Sequence, residues 1–96
     1  MASEWDKLKG LYHKNAIIYP FFKKVPIDFH GLVESLKDTV VEFKYCTVHE
    51  IRIIENIAMV MFNYESVVPS VPKRAIFIWM EQSDDWKLIS QMSKEE

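Results

Sequence analysis

The chain has 96 residues, 49% of them hydrophobic and 14% aromatic, with 12 basic against 14 acidic side chains and a formal net charge of -2. This length builds one domain, residues 1–96, whose apolar content supports a core without disulfides or metals and is too small for two cores. No block of like charge extends beyond Lys23-Lys24 and Lys94-Glu95-Glu96, so nucleic-acid binding has no electrostatic support.

At the N-terminus, Ser3 followed by Asp6 resembles a capping box, and Trp5, Leu8, Leu11 and Tyr12 recur at helical spacing. This predicts a short helix over Glu4 to Tyr12, weakened by Gly10 and dependent on docking its apolar stripe. Asn15 opens the run Ala16-Ile17-Ile18-Tyr19, a short strand closed by Pro20, and Phe21 to Pro26 reads as a loop. Asp28 then caps a second helix, whose apolar positions Leu32, Val33, Leu36 and Val40 share one stripe.

From Phe43 the period changes to two. Four strands are expected over Phe43 to Ile54, Ile57 to Val68, Lys73 to Gln82 and Trp86 to Met92, separated by turns at Glu55-Asn56, Pro69 to Pro72 and Ser83 to Asp85. Short intervening turns make an antiparallel meander the simplest connection. In the third of these strands Ala75, Phe77 and Trp79 fall on one face, and Ile76, Ile78 and Met80 on the other. Both faces therefore want burial, yet the helices can cover only one. The fold class that follows is α+β: a strongly curved antiparallel sheet of four long strands plus one short one, with helices on one face. The uncovered face calls for a cavity, a second copy, or both.

Several functional classes find little in the residues. Cys46 is the single cysteine, which predicts a reducing, cytoplasmic setting, an inert thiol and no multi-cysteine metal site. His13, His30 and His49 are too widely spaced for a ligand motif, so no metal and no cofactor is expected. Apolar runs such as Ile57 to Phe62 fall far short of the ~18–20 residues that span a bilayer, and no membrane association or signal peptide is expected. For proton transfer, Tyr19 is a candidate hydroxyl and Asp28 or His13 a candidate base, but Asp28 is better explained as a helix cap and His13 as a solvated residue. His49 alternates with Thr47 and Ile51 along one strand face, more in keeping with a plain strand histidine than with a catalytic one. No catalytic residue is assigned.

The order of elements and four segments resemble the nuclear transport factor 2-like superfamily, which includes SnoaL-like and ketosteroid isomerase-like proteins. Leu11 to Ile18 is similar to the family's entry into its first strand, with Asn15 where an aspartate is usual. His30 to Leu36 is similar to its glycine-led helix, Ile57 to Val60 to one of its strands, and Trp86 to Ser93 to its final strand. The resemblance implies a cystatin-like cone lacking the family's usual first long helix, with one sheet face lining a pocket. A turn through Asp84-Asp85 places Ser90 across from Trp79 and Met92 across from Phe77. The expected ligand-binding set is accordingly Tyr19, Phe62, Tyr64, Phe77, Trp79, Ser90 and Met92. Ser90 and Met92 stand where the family often has histidines, which removes a titratable pair. The expected function is non-catalytic binding of a small apolar or aromatic molecule, or dimerisation, with a homodimer formed through the sheet. The alternative is a SnoaL-like isomerase, cyclase or dehydratase working by general acid–base catalysis in the cone pocket.

Overall fold

A computed structural model describes residues 9–36, 42–67 and 70–95. Its elements are β1 (Tyr12–Tyr19), α1 (Phe29–Leu36), β2 (Phe43–Ile54), β3 (Ile57–Ser66), β4 (Pro72–Gln82) and β5 (Asp85–Glu95). The five strands form one sheet in the order β1-β5-β4-β3-β2, so the expected meander is present and β1 is added beyond its last strand. The fold is α+β with a curved, unclosed sheet.

Sequence and structure part company at the first strand. The predicted helix over Glu4 to Tyr12 falls mostly on residues 1–8, outside the described residues, while Tyr12 already belongs to β1. β1 is twice the length of the Ala16 to Tyr19 run, and it pairs parallel to β5 where every other pairing is antiparallel. Its far side is closed by a bridge to the loop, in which Ile18 and Ile27 exchange both backbone hydrogen bonds at 2.8 Å. Ile18 is therefore held from two directions and is 0% exposed. α1 begins where expected, with Asp28 Oδ1 accepting from the Gly31 amide at 2.8 Å, which satisfies one of the donors that a helix start leaves over. The expected end of this helix, beyond Leu36, lies outside the described residues.

Both tight hairpin turns use positive φ without glycine. Ser83 and Asp84 have φ of 52° and 64° between the paired Gln82 and Asp85, so the turn is one residue earlier than Asp84-Asp85. Two left-handed residues in a two-residue loop match the right-handed twist of the flanking strands. Glu55 takes φ 54° in the β2–β3 turn.

The core between α1 and the sheet is built from Leu32 of the helix and Ala16, Ile18, Ala58, Tyr64, Ala75 and Leu88 of the strands, all buried. Aromatic contacts extend it: Tyr12 to Phe29 at 4.7 Å between centroids, Phe62 to Phe77 at 4.9 Å and Phe43 to Tyr64 at 5.6 Å. Lys73 is also 0% exposed, with its ammonium donating to the Val71 carbonyl and lying 4.7 Å from the Phe21 ring centroid and 5.5 Å from that of Tyr64. The aromatic faces and the carbonyl offset its desolvation. Among the described residues no helix is long and apolar enough to cross a membrane.

Two stability changes are expected. Ile18→Ala leaves a cavity where the loop, β1 and β5 meet and should destabilise the protein by about 2–5 kcal/mol in urea titrations followed by circular dichroism. Replacing Ser83-Asp84 with Asn-Gly relieves the left-handed pair and should stabilise it by roughly 1 kcal/mol.

Candidate functional site

Which side chains share a face is decided by two irregularities. Within the β4–β5 hairpin, Trp79 pairs with Leu88 but Ile78 pairs with Ser90, so Ile89 is an extra residue on β5. A slip of one residue transfers every later side chain to the other face. Ser90 is thus opposite Ile78, and Met92 opposite Ile76, instead of Trp79 and Phe77 as the unbroken alternation predicts. A second irregularity between Val48 and Glu50 places His49 in a bulge. Thr47 opposite Asn63 and Ile51 opposite Val60 then fall on different faces, so the expected alternation of Thr47, His49 and Ile51 on one face does not hold.

The seven expected ligand-binding residues consequently divide. Phe62, Tyr64, Phe77 and Trp79 are on the side facing α1, where Phe62 contacts both Tyr64 and Phe77. Tyr19, Ser90 and Met92 are on the outer side, Tyr19 directly beside Met92 in the β1–β5 register.

The inner side carries two hydroxyls that hold their protons strongly. The Tyr12 hydroxyl donates to Gln91 Oε1 at 2.6 Å. Burial pushes its pKa up to about 12, against a smaller downward pull from the Gln91 hydrogen bond. Burial likewise raises Tyr64, opposed by its hydrogen bond with Ser93. Both can donate a hydrogen bond at neutral pH, and neither can serve there as a base. Gln91 was not singled out from the sequence, because only the β5 bulge turns it towards Tyr12.

The outer side is organised in rows across the sheet. One runs Arg52, Met59, Ile78, Ser90, Ile17, and the next runs Glu50, Met61, Ile76, Met92, Tyr19. Beyond them Asn63, Arg74 and Lys94 form a polar row. At this face lies a hollow of about 770 Å³, lined by His49, Met61, Asn63, Arg74, Ile76, Met92 and Lys94, and also by Phe62 and Ala75 of the strands' inner side. Met92 on β5 is 50% exposed, and Ile17 on the end strand β1 48%. At the β2 edge the Arg52 guanidinium pairs with Glu50 at 2.6 Å. Glu65, near the polar row, accepts from Lys44 and from Ser70, and these two hydrogen bonds hold its carboxyl below the usual carboxylate range.

The remaining titratable candidates are dispersed. Asp28 caps α1, His13 Nδ1 accepts from the Asn15 amide, and Asp84 and Asp85 are at the β4–β5 turn. Among the described residues no group of three or more His, Cys, Asp or Glu could hold a metal ion, and Cys46 is exposed.

No family model matches the sequence, and no curated protein matches it. Solved structures do. An NTF2-like protein from Cytophaga hutchinsonii superposes with a TM-score of 0.79 at 15% identity, over 97% of this chain and 83% of that one. An NTF2-like protein of unknown function from Shewanella baltica gives 0.75 at 15% identity, over 97% and 80%. A candidate ketosteroid isomerase from Parabacteroides distasonis gives 0.78 at 15% identity, over 99% and 77%. The chain therefore has the NTF2-like fold, as its sequence resemblance implies.

The raised Tyr12 pKa fixes the sign of an alkaline effect. A group whose pKa is about 12 in the folded state against 10.0 as reference stabilises the fold fully below pH 10, and that contribution is lost as pH rises towards 12. Thermal unfolding should show a stability loss of roughly 2–3 kcal/mol over this window from Tyr12. Tyr12→Phe should cost about 1 kcal/mol at neutral pH by removing the Gln91 partner, and should flatten the alkaline loss, leaving the part due to Tyr64.

Proposed function

We propose that this chain is a non-catalytic binding protein that pairs with a second copy through the outer face of its sheet, the hollow in that face receiving a small apolar molecule. The observation that carries the reading is the pair of adjacent apolar rows, Met59-Ile78-Ser90-Ile17 and Met61-Ile76-Met92-Tyr19, on the side opposite α1. Apolar surface gathered into one patch marks a contact site, whereas scattered exposed residues do not. Five strands ~4.8 Å apart and three rows ~6.6 Å apart give a face of roughly 500 Å² before side-chain relief is counted. A specific homodimer buries about 800 Å² per partner, the same order. Charged side chains stand at the margins, with Arg52 and Glu50 at the β2 edge and Arg74 and Lys94 beyond the apolar rows, as in an interface with an apolar centre and a polar rim.

The non-catalytic part is supported by where the candidate proton-transfer groups lie. Tyr19 and His49 are on the outer side, away from Tyr12 and Tyr64, and the Asp28 carboxylate is committed to the helix cap. General acid–base catalysis needs such groups within hydrogen-bond reach of one reacting atom. The candidate ketosteroid isomerase shares the fold at 15% identity, and a fold does not carry a mechanism with it.

Size-exclusion chromatography with light scattering should give a dimer. Ile76→Asp, which buries a charge at the centre of the face, should shift it to monomer at micromolar concentration. Trp79→Asp, on the α1 side, should lower stability. A monomeric parent, or an Ile76→Asp variant that stays dimeric, overturns the pairing.

A further inference from the structure

We infer that the free edge of β2 pairs antiparallel with β2 of a second copy, about a two-fold axis at Ile51, so that two sheets join into one. This contact is separate from the outer-face pairing proposed above, because it uses the backbone at the rim of the sheet and not the side chains of its face. The sheet order leaves two edges, β1 and β2. At β1 the loop closes the edge through the Ile18–Ile27 bridge. No described strand lies beyond β2, although its 12 residues, Phe43–Ile54, make it the longest strand of the sheet. Such an edge offers a row of unpaired amides and carbonyls, which is a template for another strand.

The first part of β2 carries the devices that blunt an edge. Its register against β3 breaks between Phe43 and Tyr45 and again between Val48 and Glu50, and Lys44 stands at the first break. Bulges twist a strand away from a neighbour, and lysine adds a charge there. From Glu50 to Ile54 neither device is present, for the register runs unbroken and contains no proline. The isoleucines of this stretch are in water, Ile51 at 58%, Ile53 at 64% and Ile54 at 70% exposure. Packing β-branched side chains against a neighbouring strand removes apolar surface from water and is favourable.

The charges in this stretch select the occupant and the register. Glu50 and Arg52 share the outer side and form a 2.6 Å ion pair along their own strand. A single sign of charge would repel a second copy, but alternating signs fit one. With Ile51 facing the partner's Ile51, each Glu50 lies opposite the partner's Arg52, and the four charges alternate in sign around the axis. On the inner side the two Ile51 side chains are direct neighbours, and each Ile53 is diagonal to the partner's Ile51. A register centred on Arg52 would oppose two guanidiniums, and one centred on Thr47 would run the breaks at Lys44 and His49 through the contact. So short a contact is weak and concentration-dependent. It forms at submillimolar concentration and leaves the micromolar behaviour of Ile76→Asp unchanged.

Disulfide trapping of the full chain at submillimolar concentration tests the register. With Cys46→Ser removing the native thiol, Ile51→Cys should oxidise to a covalent dimer, because a disulfide needs Cβ atoms about 3.5–4.5 Å apart and the axis brings position 51 beside itself. The unsubstituted chain has an exposed thiol at Cys46, which this register holds roughly 34 Å along the strands from its counterpart, so the same oxidation should give no covalent dimer. Added to the trapping variant, Glu50→Arg or Arg52→Glu alone opposes like charges and should lower the trapping rate about tenfold, while the two together restore it. Circular dichroism should show the same fold in all of these variants. Trapping should also persist when Ile76→Asp is added. Cross-linking through Cys46, none at position 51, single charge reversals without effect, a double reversal that fails to restore the rate, or loss of trapping with Ile76→Asp overturns the inference. A chain monomeric at micromolar concentration that is trapped at position 51 refutes the outer-face pairing alone, and a dimer that is not trapped there refutes the edge pairing alone.

Discussion

A single extra residue in β5 is the constraint on which the rest of the structure depends. Between Leu88 and Ser90 the strand takes three residues where β4 takes two. Up to that point the hairpin places Leu88 against Trp79 on the α1 side; beyond it, Gln91 takes that side and Ser90 and Met92 are turned out. Without the bulge the outer rows would lose Met92, and Tyr12 would face no amide. With it, a polar contact forms inside, between Tyr12 and Gln91, and an apolar strip forms outside, through Met61, Ile76 and Met92. Bulges also bend the strand that carries them, so the same device contributes to the curvature around α1.

The two faces of the sheet then do different work. The inner face is held by a small number of fully buried groups, with Ile18 and Leu88 at its centre and Lys73 covered by Phe21 and Tyr64. The described part of α1, Phe29–Leu36, lies over the β1 side of the sheet. Away from it, Val48, Ile51 and Ile53 on β2 remain exposed. The outer face has no helix among the described residues, and its apolar rows are continuous from β3 to β1. In the pairing proposed above, burial against a second copy would remove such rows from water.

The NTF2-like neighbours share the architecture at 15% identity or less, which is far too little to carry a substrate from one chain to another. What persists across such distances is the packing of a curved sheet on helices, because burial asks only for apolar character and volume at each position. Function asks for particular atoms at particular points, which burial alone does not conserve.

Much of this was legible in the sequence. Period-two alternation marked β2 to β5, the Ser83 to Asp85 cluster marked the last hairpin, and Asp28 marked the start of α1. These are local properties, set by backbone preferences and by the spacing of neighbouring side chains, so residues close in sequence determine them. Tertiary structure alone decided that Tyr12 starts a strand, that β1 joins parallel to β5, and that Ser90 and Met92 face outward. Those outcomes depend on partners up to 79 positions away, as in the bond from Tyr12 to Gln91, and on a bulge that leaves no compositional mark. A strand's period shows which residues alternate, but only its register against a neighbour shows which set is inside.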